Sequence, residues 1–171
     1  MRTPVFELHV RPMFRSIDRE HMLNILEEFD LWSYDVVKSS IDDILDSVEN
    51  GRMPPEGKGG PWPAEWIQLL RRWKETGFKR LDLGKGTYEV FNSDGEIELV
   101  ANFTLPAPGW AGWIQLESST ETTRTYVVYF EPPDVPEEGA GEDIVVSEQF
   151  SGVQKLFLRD RDGLRELPIP P

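Results

Sequence analysis

The sequence predicts an α+β fold, with three helices up to about residue 80 followed by an antiparallel β-sheet or small β-sandwich. Two observations support this prediction. Apolar residues recur every three or four positions in the first half of the chain, as they do on one face of a helix. From about residue 85 they alternate with polar residues between turn signals, which is typical of strands. We therefore divide the 171 residues into a helical unit, 1–80, and an acidic β unit, 81–171.

The first helix is expected shortly after residue 15. Ser16 or Asp18 can serve as its N-cap, because a short side chain with an oxygen acceptor binds a free backbone N–H at a helix start. One broad face of this helix is then apolar. The residues expected on that face are Met22, Leu23, Ile25, Leu26 and Phe29.

The second and third helices carry clearer boundary signals. Ser33 is the expected N-cap of the second helix, and Gly51 fits the left-handed position that follows a helix end. The third helix is expected to start near Pro63 and to end at Gly77. The apolar residues of the second helix are Val36, Val37, Ile41, Ile44, Leu45 and Val48. Those of the third helix are Trp66, Ile67, Leu70 and Trp73.

The β unit is predicted to contain three pairs of strands. Residues 87–105 alternate around a turn at 92–95, and residues 112–133 contain two further strands joined by a polar connection. Residues 151–171 predict another hairpin, which turns at Asp162-Gly163. Residues 132–143 are rich in proline, glycine and carboxylates, and we expect them to form a mobile acidic loop.

The charge of the chain restricts its partners. The net charge is −13. Residues 1–80 carry 12 basic against 14 acidic side chains, whereas residues 81–171 carry 6 against 17. Such an acidic field repels phosphate backbones and anionic lipids, so we expect no nucleic-acid or membrane partner, and any charged partner should be basic. The alternative is that the acidic residues only keep the surface soluble.

The composition excludes several classes of function. The chain has no cysteine, so disulfides, zinc ribbons, thiolate nucleophiles and covalent haem attachment through CxxCH are excluded. No run approaches the roughly 18 apolar residues of a membrane helix, and the N-terminus lacks the apolar core of a secretion signal. We therefore expect a cytoplasmic protein.

Three segments of the first half resemble bacterial class I cytochrome c-type domains. They are "FELHVRPMF" at 6–14, "MPP" at 53–55 and "LLRRWKETGF" at 69–78. The resemblance covers roughly residues 5–80 and implies a helical cytochrome c-like unit in which Met53, in a proline-rich loop, takes the place of the axial haem ligand. The chain departs from the family where CxxCH would stand, since it has "RSIDREHMLNILEEFD" there. A haem bound through thioether bonds is thereby excluded.

Two interpretations of the departure remain open. The sulfur of Met53 could ligate a noncovalent haem with His21 as the opposite ligand, since His/Met axial pairs occur in cytochromes. Alternatively, Met53 packs in its loop, His21 lies on a helix surface, and aromatic side chains fill the space that haem would occupy. A metal ion bound by His9, His21 and Met53 is a further hypothesis. Against it, two histidines without a third strong ligand make a poor metal site.

Enzymatic chemistry is not indicated by any motif. Only His9 or His21 could act as base for a serine or threonine nucleophile, and the chain contains no GxSxG sequence. Its paired carboxylates are neighbours in sequence, so they would not face one another on a helix. We therefore favour a noncatalytic protein, and the alternative of an enzyme whose acid/base groups no motif identifies stays open.

Three tryptophans are candidate ligand-binding residues. Trp62 follows a loop with glycines at 57, 59 and 60, and Trp110 and Trp113 belong to the segment "LPAPGWAGW" at 105–113. Exposed tryptophans in such loops bind rings, sugars or partner proteins. The alternative is that Trp110 and Trp113 fold back onto the helical half.

These observations predict a binding or accessory protein without a cofactor, which recognises a protein partner or a small ligand. The resemblance implies an oxidative enzyme as a plausible working partner, because cytochrome-like modules usually accompany such enzymes. The alternative is a redox protein that uses His21 and Met53 to hold noncovalent haem or a metal ion.

Overall fold

The computed structural model describes residues 3–55 and 57–171. The chain divides into two compact units, Met1–Arg80 and Leu81–Pro171. Helices occupy the first unit and strands the second, so the fold is α+β as predicted.

The helical unit begins with two short turns that the sequence analysis did not predict. A π-helical turn at Phe6–Val10 leads directly into a 3-10 turn at Arg11–Met13. The described part of this unit then contains four α-helices: α1 (Ser16–Ile25), α2 (Tyr34–Ser39), α3 (Ile41–Glu49) and α4 (Ala64–Glu75). The expected three-helix unit is therefore not confirmed.

The extra helix arises because the second predicted helix breaks at Ser40, whose φ of −106° and ψ of 16° are not helical. The preceding Ser39 donates its hydroxyl to the carbonyl of Val36 at 3.0 Å. Serine in a helix interior competes for backbone groups in this way and favours a break. The predicted ends of the segment are correct, since Ser33 caps α2 and Gly51 has a φ of +64°.

The start of α1 differs from the prediction. Arg15 occupies the N-cap position, Ser16 is the first helical residue, and Asp18 accepts a hydrogen bond from the backbone N–H of Arg15 at 3.2 Å. The expected apolar face is also not buried. None of the ten residues of α1 is buried, and Ile17 and Ile25 are 64% and 58% exposed. The helix lines a cavity, and of the residues expected on its apolar face Met22 packs, half-buried, against the core.

The core of the helical unit is centred on Trp73 of α4, which is fully buried. Its ring contacts Phe6 and Phe78, with ring centroids 5.5 and 4.9 Å away, and Tyr34 at 5.9 Å. The indole N–H donates to the carbonyl of Lys79 at 2.8 Å. The first turn and the end of the unit therefore meet at one aromatic cluster.

Helix α4 follows its predicted limits closely. Pro63 is its N-cap, and Gly77, two residues after its last residue, has a φ of +89°. Leu70 is buried and Ile67 is half-buried, whereas Trp66 is 39% exposed. Trp66 therefore lies at the edge of the apolar face and not inside it.

The β unit, all of whose residues are described, contains two sheets. The strands are β1 (Asp82–Leu83), β2 (Gly86–Ser93), β3 (Glu96–Thr104), β4 (Ala111–Ser119), β5 (Thr123–Glu131), β6 (Asp143–Ser151), β7 (Lys155–Asp160) and β8 (Gly163–Leu167). The strand order is β1-β5-β7-β8 in one sheet, with β4 also paired to β5, and β2-β3-β6 in the other. Both sheets contribute to one cluster of buried side chains, as in a small sandwich.

The three predicted hairpins are present, although the third turns at Arg161-Asp162 and not at Asp162-Gly163, and the pairing of the strands is not antiparallel throughout. β5 pairs with β7 in parallel over the five residues from Thr123 to Val127. Strand β6 was not predicted at all, and it pairs with β3 along its whole length. Residues 132–142 form neither helix nor strand.

Candidate functional site

The helical unit contains a cavity of about 790 Å³. Its walls are α1 with the residues that flank it, α3, and residues 53–55 and 57–62, which we call the proline loop. Most of the lining is apolar. Among the side chains that provide it are Phe14, Met22, Phe29, Val48, Met53 and Trp62.

Helical spacing brings the side chains of two walls to the cavity. On α1, the cavity-lining residues Ile17, Asp18, His21 and Met22 include pairs three and four positions apart, so they lie on the same side of the helix. α3 presents residues 43, 44, 47 and 48 in the same pattern. The two helices therefore face each other across the cavity with mixed polar and apolar stripes.

The proline loop forms the third wall. Trp62 is almost fully buried, and its ring lies 5.5 Å from that of Phe14 and 5.6 Å from that of Trp66. Gly60 allows the loop to fold so that Trp62 reaches this position, because a Cβ at residue 60 would overlap the carbonyl oxygen of Pro54. Only glycine permits the backbone to approach itself so closely.

Arg15 ties α1 to the proline loop. Its Nε and Nη2 donate to the two carboxylate oxygens of Asp18 at 2.8 and 2.6 Å, and this hydrogen bonding raises the pKa of Arg15. Nη2 also donates to the backbone carbonyl of Lys58 at 2.5 Å. The charge of Asp18 is thus compensated next to the cavity.

Three other ionisable residues line the cavity: His21, Asp43 and Lys58. All three are exposed, so the cavity opens to solvent near them. Within residues 3–55 and 57–171, none of their side chains forms an ion pair. They provide one imidazole, one carboxylate and one ammonium group for a bound molecule.

The structure brings together three of the residues that the sequence marked as candidates. Trp62, His21 and Met53 all line the cavity. His9 does not; its Nδ1 accepts a hydrogen bond from the backbone N–H of Val5 at 3.0 Å and so closes the first turn. A shared site for His9, His21 and Met53 is therefore not formed around this cavity.

Trp110 and Trp113 belong to the β unit. Trp110 is half-buried and packs against the core of the sandwich. Trp113 lies within β4 and not in the preceding loop, with its ring 6.2 Å from that of Tyr129. Its indole N–H donates to Oε1 of Gln115 at 3.4 Å. Neither ring lines the cavity of the helical unit.

Two further findings concern the described residues only. Across 3–55 and 57–171, no three or more histidine, aspartate or glutamate side chains come together as a metal-binding group. No helix in the same ranges is both long and apolar enough to cross a membrane.

The β unit contains a separate buried polar cluster around Asp160, whose side chain is fully buried. Its carboxylate accepts hydrogen bonds from the hydroxyl of Tyr88 at 2.9 Å, from Nη2 of Arg165 at 2.7 Å and from the N–H of Asp162 at 2.9 Å. The carboxylate of Asp160 thus has its hydrogen-bond partners within the cluster. The cluster is consequently a structural element and not a candidate binding site.

Sequence reasoning missed most of the cavity wall, including Phe14, Val48 and Lys58. Part of this wall could have been predicted. The apolar residues of α1 are spread around the helix, so they cannot all pack against one core.

Comparisons of the chain with protein-family models, with curated proteins and with solved structures found no match.

Proposed function

We propose that this protein is a noncatalytic binding or accessory protein that takes a small apolar ligand in the cavity of its helical unit. The observation that carries the proposal is the cavity itself. Its volume of about 790 Å³ lies within the range of about 300 to 1,000 Å³ that is typical of small-molecule sites. A small ligand is therefore a better candidate than a protein partner for this site.

The arrangement of polar groups supports binding and not catalysis. Arg15 and Asp18 are occupied with each other, and Asp43 lies in the first turn of α3. The walls instead offer aromatic and thioether surface, which binds apolar molecules without reacting with them. An association with an oxidative enzyme, which the cytochrome resemblance implies, would make this an accessory role.

Two neighbouring residues provide a matched test. Leu26 and Ile25 are both apolar and are 50% and 58% exposed, but only Leu26 lines the cavity. Leu26→Trp should obstruct the cavity, whereas Ile25→Trp should not. We expect the uncharged dye Nile red to fluoresce with the wild type and with Ile25→Trp and to bind Leu26→Trp at least several-fold more weakly. Equal binding to all three proteins would refute the proposal.

A second candidate function is a redox protein with noncovalent haem. One observation favours it: the imidazole of His21 and the thioether of Met53 belong to the lining of the same cavity. This donor set and these apolar walls suit haem, which would supply one-electron redox chemistry when bound. His21 and Met53 would hold the iron, and Phe14 and Trp62 would exclude water from its faces.

The histidines distinguish this candidate from the first. Purified protein is mixed with equimolar haem, and the Soret band is recorded for the wild type, His21→Ala, Met53→Leu and the control His9→Ala. If His21 and Met53 ligate the iron, the Soret band should change in His21→Ala and Met53→Leu and should stay the same in His9→Ala. An identical spectrum for all four proteins would remove the redox candidate.

A further inference from the structure

We infer that the ligand of the cavity is a long-chain monocarboxylate whose carboxylate is bound by Lys58. This inference rests on the proposed binding function and adds the chemical class of the ligand. It follows from the charges around the cavity and from the flexibility of its lining.

The carboxylates at the cavity are already compensated within the protein. Asp18 receives two hydrogen bonds from Arg15, at 2.6 and 2.8 Å, so neither group needs a further partner. Asp43 lies in the first turn of α3, where the helix dipole favours a negative charge. Neither carboxylate therefore calls for a cationic ligand.

Lys58 provides a positive charge at the cavity that no ion pair compensates among the described residues. Its residue lines the cavity, and its ammonium forms no ion pair with any other residue in the described ranges. The hydrogen bond from Arg15 to its backbone carbonyl fixes the position from which the side chain extends. Lys58 is exposed at the cavity, so its ammonium group is free to extend over the cavity and bind one carboxylate, because charge-assisted hydrogen bonds are the strong ones.

The body of the ligand is indicated by the rest of the lining. Met22 and Met53 adapt to irregular shapes, which suits a flexible chain better than a rigid ring system. Ile17 and Leu26 also line the cavity, yet they are 64% and 50% exposed. An alkyl chain packed along α1 would remove this surface from water, which is favourable in proportion to the area covered.

The test compares three ligands with the same chain and different head groups. Dodecanoate, dodecanol and dodecyltrimethylammonium are titrated calorimetrically below their aggregation limits into the wild type, Lys58→Gln and Lys155→Gln. Lys155 is an exposed lysine of the β unit and serves as the control. Lys58→Gln keeps the backbone carbonyl that Arg15 binds.

We expect dodecanoate to bind the wild type and Lys155→Gln equally and to bind Lys58→Gln about tenfold more weakly, as the loss of one charged hydrogen bond predicts. Dodecanol should bind more weakly than dodecanoate and should not respond to Lys58→Gln. Equal binding of all head groups, or no effect of Lys58→Gln, would overturn the inference and leave the binding function intact. If none of the three dodecyl ligands binds while Nile red still binds Leu26→Trp more weakly than the wild type, only the ligand class is wrong. If both experiments fail, the proposed function fails too.

Discussion

Arg19 and Asp30 form a two-point ion pair, with Nε to Oδ1 at 2.6 Å and Nη2 to Oδ2 at 2.7 Å. The same carboxylate accepts the backbone N–H of Trp32 at 2.9 Å, and the guanidinium lies 4.7 Å from the centroid of the Trp32 ring. This pair joins α1, none of whose residues is fully buried, to the segment of chain that follows it.

We predict that Asp30→Asn destabilises the protein by about 1 kcal/mol at neutral pH, the upper part of the range for a partly exposed pair of good geometry. The hydrogen bond from Arg19 lowers the pKa of Asp30. The stabilisation is therefore present above the ordinary aspartate pKa and is lost as the pH falls below it. Urea unfolding at several pH values measures this effect.

In those titrations the difference between wild type and Asp30→Asn should shrink below about pH 4. Glu28→Gln is the control, since Glu28 is an exposed carboxylate near the same ion pair. A difference that stays constant down to the lowest pH would show that the lost hydrogen bonds, and not the charge, account for the effect.

His21→Ala should change the free energy of unfolding by no more than about 0.5 kcal/mol, as is usual for surface residues. The reason is that His21 is exposed on α1. Chemical denaturation of the purified variant measures this directly. A larger loss, accompanied by loss of a chromophore or of a stoichiometric metal, would favour the redox candidate over the binding one.

Tyr88→Phe should cost about 1 to 2 kcal/mol at neutral pH, because it removes one hydrogen bond to the buried carboxylate of Asp160. Burial, and then the hydrogen bond to Asp160, raise the pKa of Tyr88 above its usual 10.0. The stabilisation by the neutral phenol is complete below that value and is lost as the pH rises further. The wild type and Tyr88→Phe should therefore approach each other in stability above pH 10.

The alkaline comparison has a clear contrary outcome. If the stability difference between wild type and Tyr88→Phe is the same at pH 8 and pH 11, the phenol does not titrate differently in the folded and unfolded chains. The hydrogen bond from Tyr88 to Asp160 would then contribute equally to the free energy of unfolding at both pH values.

Gly59→Ala should destabilise the protein more than Gly57→Ala does. Both glycines have positive φ values, +97° and +76°, so both substitutions incur the backbone penalty of about 1 kcal/mol. Only at Gly59 would the new Cβ overlap the guanidinium of Arg15, which must then leave the carbonyl of Lys58. We expect an extra loss of about 0.5 to 1 kcal/mol in urea unfolding, the net value of one such hydrogen bond. Equal losses would mean that Arg15 relocates without cost.

Local signals made much of the fold predictable. The turn at Asp94-Gly95 has positive φ at both residues, and it joins β2 to β3 where the alternation predicted a hairpin. Ser33 and Gly51 bound the predicted second helical segment because caps act on their immediate neighbours. In each case the determining residues lie within a few positions of the element that they specify.

The remaining features depend on contacts between distant residues. The parallel pairing of β5 and β7 brings Thr123 opposite Lys155, and nothing close to either residue specifies it. The cavity likewise combines His21, Met53 and Trp62 from three separate segments. The family resemblance related His21 to Met53, but it gave no indication of Lys58, whose relevance depends on the fold of the proline loop.

The shallow packing of α1 has a consequence for how molecules reach the cavity. None of the ten residues of α1 is fully buried, as is typical of elements whose local unfolding free energy lies at the low end of the range found within a protein. If the cavity binds a ligand as proposed, entry and departure of that ligand would depend on local opening of α1 and not on global unfolding. The aromatic core around Trp73 would then stay folded while the ligand exchanges.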